Sequence, residues 1–181
     1  MSIARVDAAI DRFVETVNDA RIEPGDTDEI PPSVAAGGVD EFGLLPWKIQ
    51  PIVDTPWIAE VQSGLPSPLP PSYRSLIARY AFPAFEIDRV FLFANTPEGT
   101  TPFELRAKLR DPIAREIMAV RNLVQFGNPR MYDYDPVCFD MSARNRDGEF
   151  PIVRVDHEDV LCNRRRWATT KLAASFLELI A

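Results

Sequence analysis

The residues best suited to chemistry stand together at Asp156-His157-Glu158, and His157 is the only histidine in the 181-residue chain. Imidazole titrates near neutrality and serves as a general base or a metal ligand. One histidine excludes a histidine-rich metal site or a two-histidine mechanism within a single chain. Adjacent residues on an extended backbone point to alternate sides, so these three converge on one ion only through a turn. No second ligand cluster has a suitable spacing. The enzymatic alternative is therefore a metal-dependent hydrolase using Asp156, His157 and Glu158. In the structural alternative Asp156 and Glu158 end a strand and accept backbone hydrogen bonds, while His157 packs at the rim. Cys138 with His157 would be a nucleophile pair, but Cys138 falls in a strand expected to be buried, where thiols are poor nucleophiles. The chain has no Gly-x-Ser-x-Gly elbow and no phosphate-binding Gly-rich loop. Arg164-Arg165-Arg166 reads as a solvated turn or edge, or as a partner contact.

The elements that must position these residues centre on Pro136–Glu158. Pro136–Met141 and Phe150–Val155 are strand-like runs separated by the polar loop Ser142–Glu149, which ends in Asp147-Gly148. This reads as a β-hairpin with Gly148 at a position of positive φ. Alternation puts Val137, Phe139 and Met141 on one face and Cys138 and Asp140 on the other. Val153 and Val155 likewise oppose Ile152 and Arg154. Ile87–Ala94, apolar on both faces, predicts an internal strand, and Asn122–Gly127 a further one. Apolar stripes predict helices near 3–17, 57–63, 72–80, 102–119 and 171–180. Ser2 is the expected first cap. Thr101 is the expected cap of the fourth helix, with Asp111-Pro112 bending it and Ile113 and Ile117 facing inward. Thr170 is the expected cap of the last. Glu158–Asn163 is a helical turn or a loop, and Arg164–Thr169 an ambiguous stretch compatible with an edge strand. The order predicts a single α+β domain with a mainly antiparallel sheet packed by helices.

Composition narrows the function. The formal charge of −7 argues against generic nucleic-acid binding and anionic membranes. Residues 20–62 hold eight Asp/Glu against two Lys/Arg, a local charge of −6. Within them, 20–56 is rich in Pro and Gly and reads as a surface insertion or an acidic contact arm. Leu44, Leu45, Trp47, Ile49, Ile52 and Val53 pin its second half to the body. Cys138 and Cys162 form no disulfide framework and are expected as small core side chains. The start, MSIARVDAAIDRF, lacks a secretory apolar block, and no segment approaches roughly 18 continuous apolar residues. A cytoplasmic location is the expectation.

The run PVCFDMSARNRDGEFPIVRVDHE, followed by SFLELI, resembles the C-terminal half of the SUKH superfamily, which includes fungal cell-wall-assembly regulators. Leu69-Pro70-Pro71-Ser72-Tyr73 resembles that family's helix start. The likeness spans about residues 57–181. The segment 20–56, and Phe82-Pro83-Ala84 where many members have Asn-Gly, depart from it. The resemblance implies an α+β fold and a protein-binding module, not an enzyme, needing no cofactor or metal. Many bacterial members look like immunity proteins that neutralise toxins, often nucleases; fungal members look like regulatory scaffolds. An acidic inhibitor associates quickly with a basic toxin. The expected partner is thus a basic cognate toxin met by a monomer or weak dimer. The expected contact groups are the arm (Asp26, Asp28, Glu29, Asp40, Glu41), the hairpin loop (Arg144, Arg146, Asp147, Glu149) and the strand exit (Asp156, Glu158).

Overall fold

A computed structural model describes residues 2–20, 23–52, 55–99, 103–131 and 133–181. The chain opens with α1 (Ile3–Asp19), whose buried stripe is Val6, Ile10, Phe13 and Val14. Ser2 occupies its cap position without a side-chain cap bond. The arm follows, with β1 (Gly25–Asp26) pairing β2 (Leu44–Leu45). Next come β3 (Gln50–Pro51), α2 (Pro56–Gln62), α3 (Pro71–Arg79) and β4 (Tyr80–Ala81), with β3 pairing β4. Both α2 and α3 begin on proline, where its missing N–H costs nothing.

Six antiparallel strands form the main sheet: β5 (Phe85–Ile87), β6 (Val90–Leu92), β7 (Leu123–Asn128), β8 (Val137–Asp140), β9 (Ile152–Val155) and β10 (Thr169–Ala173). Their spatial order is β10-β9-β8-β7-β6-β5. The fold is therefore α+β. The expected strand Ile87–Ala94 is shorter than its apolar run: Asp88, at φ +50°, and Arg89 form a turn, Ile87 ends β5, and only Val90–Leu92 is the internal strand between β5 and β7. The expected hairpin is the β8–β9 pair. Alternation sorts the faces as the sequence implies. Val137, Phe139, Met141 and Ile152 join the large core beneath α1, α3 and the arm. Cys138, Val153 and Val155 join a smaller cluster with Met118 and Val160. The centre of the large core is aromatic: the Tyr73 ring lies 5.0–5.3 Å from Phe126, Phe139 and Phe176, and Phe126 stacks on Phe139 at 4.1 Å.

The arm is more than a surface excursion. Ile30, Val34, Trp47 and Ile49 are buried in the large core. Asn18 exchanges two hydrogen bonds with the Ile49 backbone, at 2.9 and 2.8 Å, and the Ser33 hydroxyl donates to Glu98 at 2.7 Å. Leu44, Leu45 and Ile52 are half-buried, while Val53 lies outside the described residues.

Several further expectations are corrected. The helix expected over 102–119 is three pieces: α4 (Leu105–Arg110), a π-helix (Ile113–Met118) and a 3-10 turn (Ala119–Arg121). Pro112 interrupts the hydrogen-bond ladder, and the Asp111 carboxylate accepts the Ile113 N–H at 2.8 Å to start the next piece. The wider π turn leaves Ile113 40% exposed and buries Met118 instead. Thr101 and Pro102 lie outside the described residues. The terminal helix is also shorter. Its first half is β10, because two β-branched threonines meet the open edge of β9, and only α6 (Phe176–Leu179) is helical. Its cap is Ser175, which accepts the Glu178 N–H at 3.1 Å, not Thr170. The edge strand therefore begins at Thr169, the last residue of the ambiguous stretch. Finally Cys162 is exposed, because it caps the end of the five-residue α5 (His157–Leu161), whereas Cys138 is buried.

Candidate functional site

Where β9 ends, the chain turns into α5, and that turn settles the geometry of the chemical residues. Asp156 is the N-cap, its carboxylate accepting the N–H groups of Glu158 at 2.8 Å and Asp159 at 3.3 Å. His157 is then swung toward Asp135, two residues before β8. Its Nδ1 lies 2.7 Å from Asp135 Oδ1, which also accepts the His157 N–H at 3.0 Å. Arg154 Nε donates to the other oxygen of Asp135 at 2.6 Å. Burial alone would raise the pKa of Asp135. The bonds from the His157 N–H, the His157 ring and Arg154 outweigh it and hold the carboxyl below its ordinary range. The hydrogen bond to Asp135 raises the pKa of His157 against some desolvation, and the charges of Asp135, Asp156 and Glu158 add to the rise.

This cluster replaces the expected trio. Asp135, Asp156 and His157 offer atoms within 4.8 Å of one another, and Glu158 is not among them. Both oxygens of Asp135 already hold donors, one of them a guanidinium. The arrangement resembles a structural clamp between the segment just before β8 and the start of α5. Cys138 offers no nucleophile, since burial pushes its thiol well above the ordinary range.

Beside the clamp lie three depressions that share lining residues. The first is a cavity of about 480 Å³ with Trp47, Phe85, Phe91 and Phe103 at its floor and walls, and Glu23, Glu29 and Glu86 around it. A shallow hollow containing Glu86, Met131, Tyr134 and His157 adjoins it. Tyr134 and His157 then border a cavity of about 430 Å³ between the π-helix and α5, lined by Ile113, Met118, Val160 and Leu161. Tyr134 and Leu161 are 79% and 67% exposed, so apolar surface faces solvent there.

The expected contact groups divide over this surface. Asp26 and Asp28 are exposed on the arm, and Glu29 lines the first cavity. Asp40 is exposed but is employed in a turn, accepting the N–H groups of Phe42 and Leu44 at 2.9 Å each. Glu41 is exposed beside it. Asp156 and Glu158 are exposed at the clamp, with Glu158 3.6 Å from Arg164. Arg144, Arg146 and Asp147 are exposed on the hairpin loop. That loop packs at the N-terminus of α3, where Gly148 abuts Pro71, whereas the arm reaches the C-terminal end of α3 through β3 and β4. The loop and the arm therefore do not form one patch.

Glu149 is a correction. It is 1% exposed and cannot meet a partner. Its carboxylate accepts the Ser72 N–H at 2.9 Å and the Ser72 hydroxyl at 2.6 Å. The Asp147-Gly148 turn folds the chain back and delivers the carboxylate to the open N–H groups of α3. The Arg164 of the triple-arginine run is similarly structural, donating to Asp159 at 2.8 Å, while Asp159 also accepts the Ala168 N–H at 2.7 Å. That backbone bond, opposed by desolvation and helped by Arg164, holds Asp159 below its ordinary range. Arg165 and Arg166 remain exposed.

Reading the sequence missed Asp135 and the first cavity. The hairpin pairing carried the signal for Asp135: with Val137 opposite Arg154, continuation of the register sets residue 135 beside 156. The cavity draws on residues from the arm, α1, β5, β6 and the β7–β8 loop, which no local pattern joins. Neither protein-family models nor curated protein sequences match the chain. Among the described residues no helix is long and apolar enough to cross a membrane.

Proposed function

We propose that this chain is a non-enzymatic protein-binding module of the SUKH type, an immunity protein that neutralises a basic bacterial toxin, with a nuclease as the fitting class. One observation carries the reading: Glu23, Glu29 and Glu86 line a largely apolar cavity, and their side chains make no ion pair or hydrogen bond with any described residue. Carboxylates left unpaired around an apolar hollow suit a cationic partner, since complementary charge accelerates association and fixes register. The acidic arm extends that field through Asp26 and Asp28. The resemblance of Pro136–Glu158 and of the Leu69–Tyr73 helix start supports the same class, as does the α+β fold.

The test begins with the open reading frames beside the gene. A secreted toxin gene is expected there. Its product should co-purify with this chain and lose its toxic activity in the complex. If several weak partners are captured and no toxin gene is adjacent, the chain is a regulatory scaffold of the cell-wall-assembly kind. Turnover of a substrate by the isolated chain would overturn the binding reading altogether.

A further inference from the structure

The cavity beneath the arm has more chemical detail than a general attraction for bases. Trp47 and Phe85 are in ring contact, with centroids 5.2 Å apart, and Phe91 meets Phe103 edge-on at 5.2 Å. All four rings line the same space of about 480 Å³. The carboxylates come from two directions, Glu23 and Glu29 from the arm and Glu86 from β5. The edge backbone adds a polar contact. Ile87 and Val90 close a two-residue hairpin and Glu86 sits opposite Phe91. The closing pair exchanges hydrogen bonds, so the next residue inward, Glu86, directs its N–H and C=O out of the sheet.

We infer that this cavity is the anchor site for an arginine side chain of the partner protein, its guanidinium held among Glu23, Glu29 and Glu86 and its stem lying against the aromatic floor. The inference rests on the protein-binding reading and specifies the residue it recognises. Arginine fits better than lysine on three grounds. Its planar fork offers five donors, enough to engage more than one carboxylate at once. It is less strongly hydrated than an ammonium group, so entering an apolar hollow costs less. It also lies favourably on aromatic faces. The outward-facing backbone of Glu86 provides one donor and one acceptor for an extended segment carrying that arginine.

The probe is ethylguanidinium at millimolar concentration, titrated into the full chain and followed by two-dimensional amide and indole NMR, with ethylammonium and the neutral isostere ethylurea as controls. Ethylguanidinium is expected to shift the Trp47 indole and the Glu86 amide saturably. It should bind several-fold more tightly than ethylammonium, and ethylurea should leave these signals in place. The variant carrying Glu23→Gln, Glu29→Gln and Glu86→Gln should weaken guanidinium binding about tenfold, a loss of about 1.4 kcal/mol, with an unchanged melting temperature. Equal shifts from ethylurea, or guanidinium shifts confined to other surfaces, would overturn the anchor. If the chain captures a basic toxin while ethylguanidinium leaves Trp47 untouched, the anchor fails and the binding reading stands. Guanidinium binding at Trp47 in a chain that captures no basic protein would keep the site and remove the toxin reading.

Discussion

Glu149 and Ser72 are 77 positions apart in sequence and joined by two hydrogen bonds, so the loop between β8 and β9 serves as the N-terminal cap of α3. The Ser72 hydroxyl and N–H both donate to a carboxylate that is shut off from water. Hydrogen bonds to charged groups contribute about 1.5–3 kcal/mol each when neither partner can turn to solvent. Glu149→Gln keeps the volume and can still meet Ser72, its amide oxygen accepting the N–H and its NH₂ donating to the hydroxyl, but it gives up the charge, and is expected to cost about 1 kcal/mol. Ser72→Ala should cost about 1 kcal/mol, and the double variant less than the sum, because the two residues act as one contact. Urea denaturation midpoints at unchanged slope measure all three. Additive costs would dissolve the link.

Gly148 makes that cap possible. It has φ +85°, and a Cβ there would stand 3.1 Å from the Arg144 guanidinium and 3.3 Å from the Pro71 ring. The left-handed backbone alone costs an L-residue about 1–2 kcal/mol. Gly148→Ala should lose about that much, and Gly148→Val more, because a branched Cβ also presses on Pro71. The same denaturation experiment checks it. A variant as stable as the parent would mean that the loop repacks freely.

Tyr73 gives the opposite expectation. Its ring sits in the central aromatic cluster, 1% exposed, but its hydroxyl has no hydrogen-bond partner among the described residues. Burial, with a contribution from Glu104, raises its pKa well above the ordinary range. Removing a buried, unsatisfied hydroxyl while keeping the ring is neutral or stabilising. Tyr73→Phe should therefore match or raise the melting temperature, whereas Tyr73→Leu should lower it by removing the ring contacts with Phe126, Phe139 and Phe176. A large loss from Tyr73→Phe would show that the hydroxyl is satisfied.

These cases show which parts of the molecule local sequence pattern reaches. Val137, Phe139 and Met141 alternate in the chain as they do in the sheet, because one-sided burial forces a period of two. Gly148 is legible because only glycine adopts its backbone angle without strain. Leu172, Phe176, Leu179 and Ile180 have helical spacing, yet Leu172 sits in β10, because the free edge of β9 supplied hydrogen bonds that periodicity cannot register. Ile113 is exposed for a related reason: the π turn after Pro112 moves the inward position to Met118. The fate of Glu149 depends on a turn direction and a helix end 77 positions away. The cavity around Trp47 exists only once the arm is laid across β5.

The clamp between His157 and Asp135 makes stability depend on pH in a defined window. The folded pKa of His157 is raised, so its contribution is fully present below the unfolded value, near 6.5, and fades as pH rises through the folded value. The folded pKa of Asp135 is lowered, so its contribution is present above its unfolded value, near 3.8, and is lost as pH falls through the folded one. The clamp is thus strongest between about pH 4 and 6.5. The melting temperature of the parent should exceed that of His157→Gln most clearly near pH 6 and least above pH 8, at constant ionic strength. A difference that stays the same across that range would remove the charge on His157 from the account.

The same clamp predicts indifference to transition metals. To bind an ion through Asp135, Asp156 and His157, Asp135 would have to release the Arg154 guanidinium, which would be left beside the incoming cation. His157 Nδ1 would have to give up its 2.7 Å bond or turn its Nε2 inward. Asp156 would have to abandon the cap it forms on α5. Each change discards a satisfied, partly charge-assisted contact. Elemental analysis of the purified chain should therefore find no stoichiometric zinc, iron, cobalt or nickel. Added zinc should not raise the melting temperature of the parent more than that of His157→Gln. The second measurement is the stricter one, because a ligand that binds only the folded state must raise its stability by mass action. A zinc-dependent rise abolished by His157→Gln would overturn the clamp and restore the metal-dependent hydrolase reading, with Asp135 in place of Glu158.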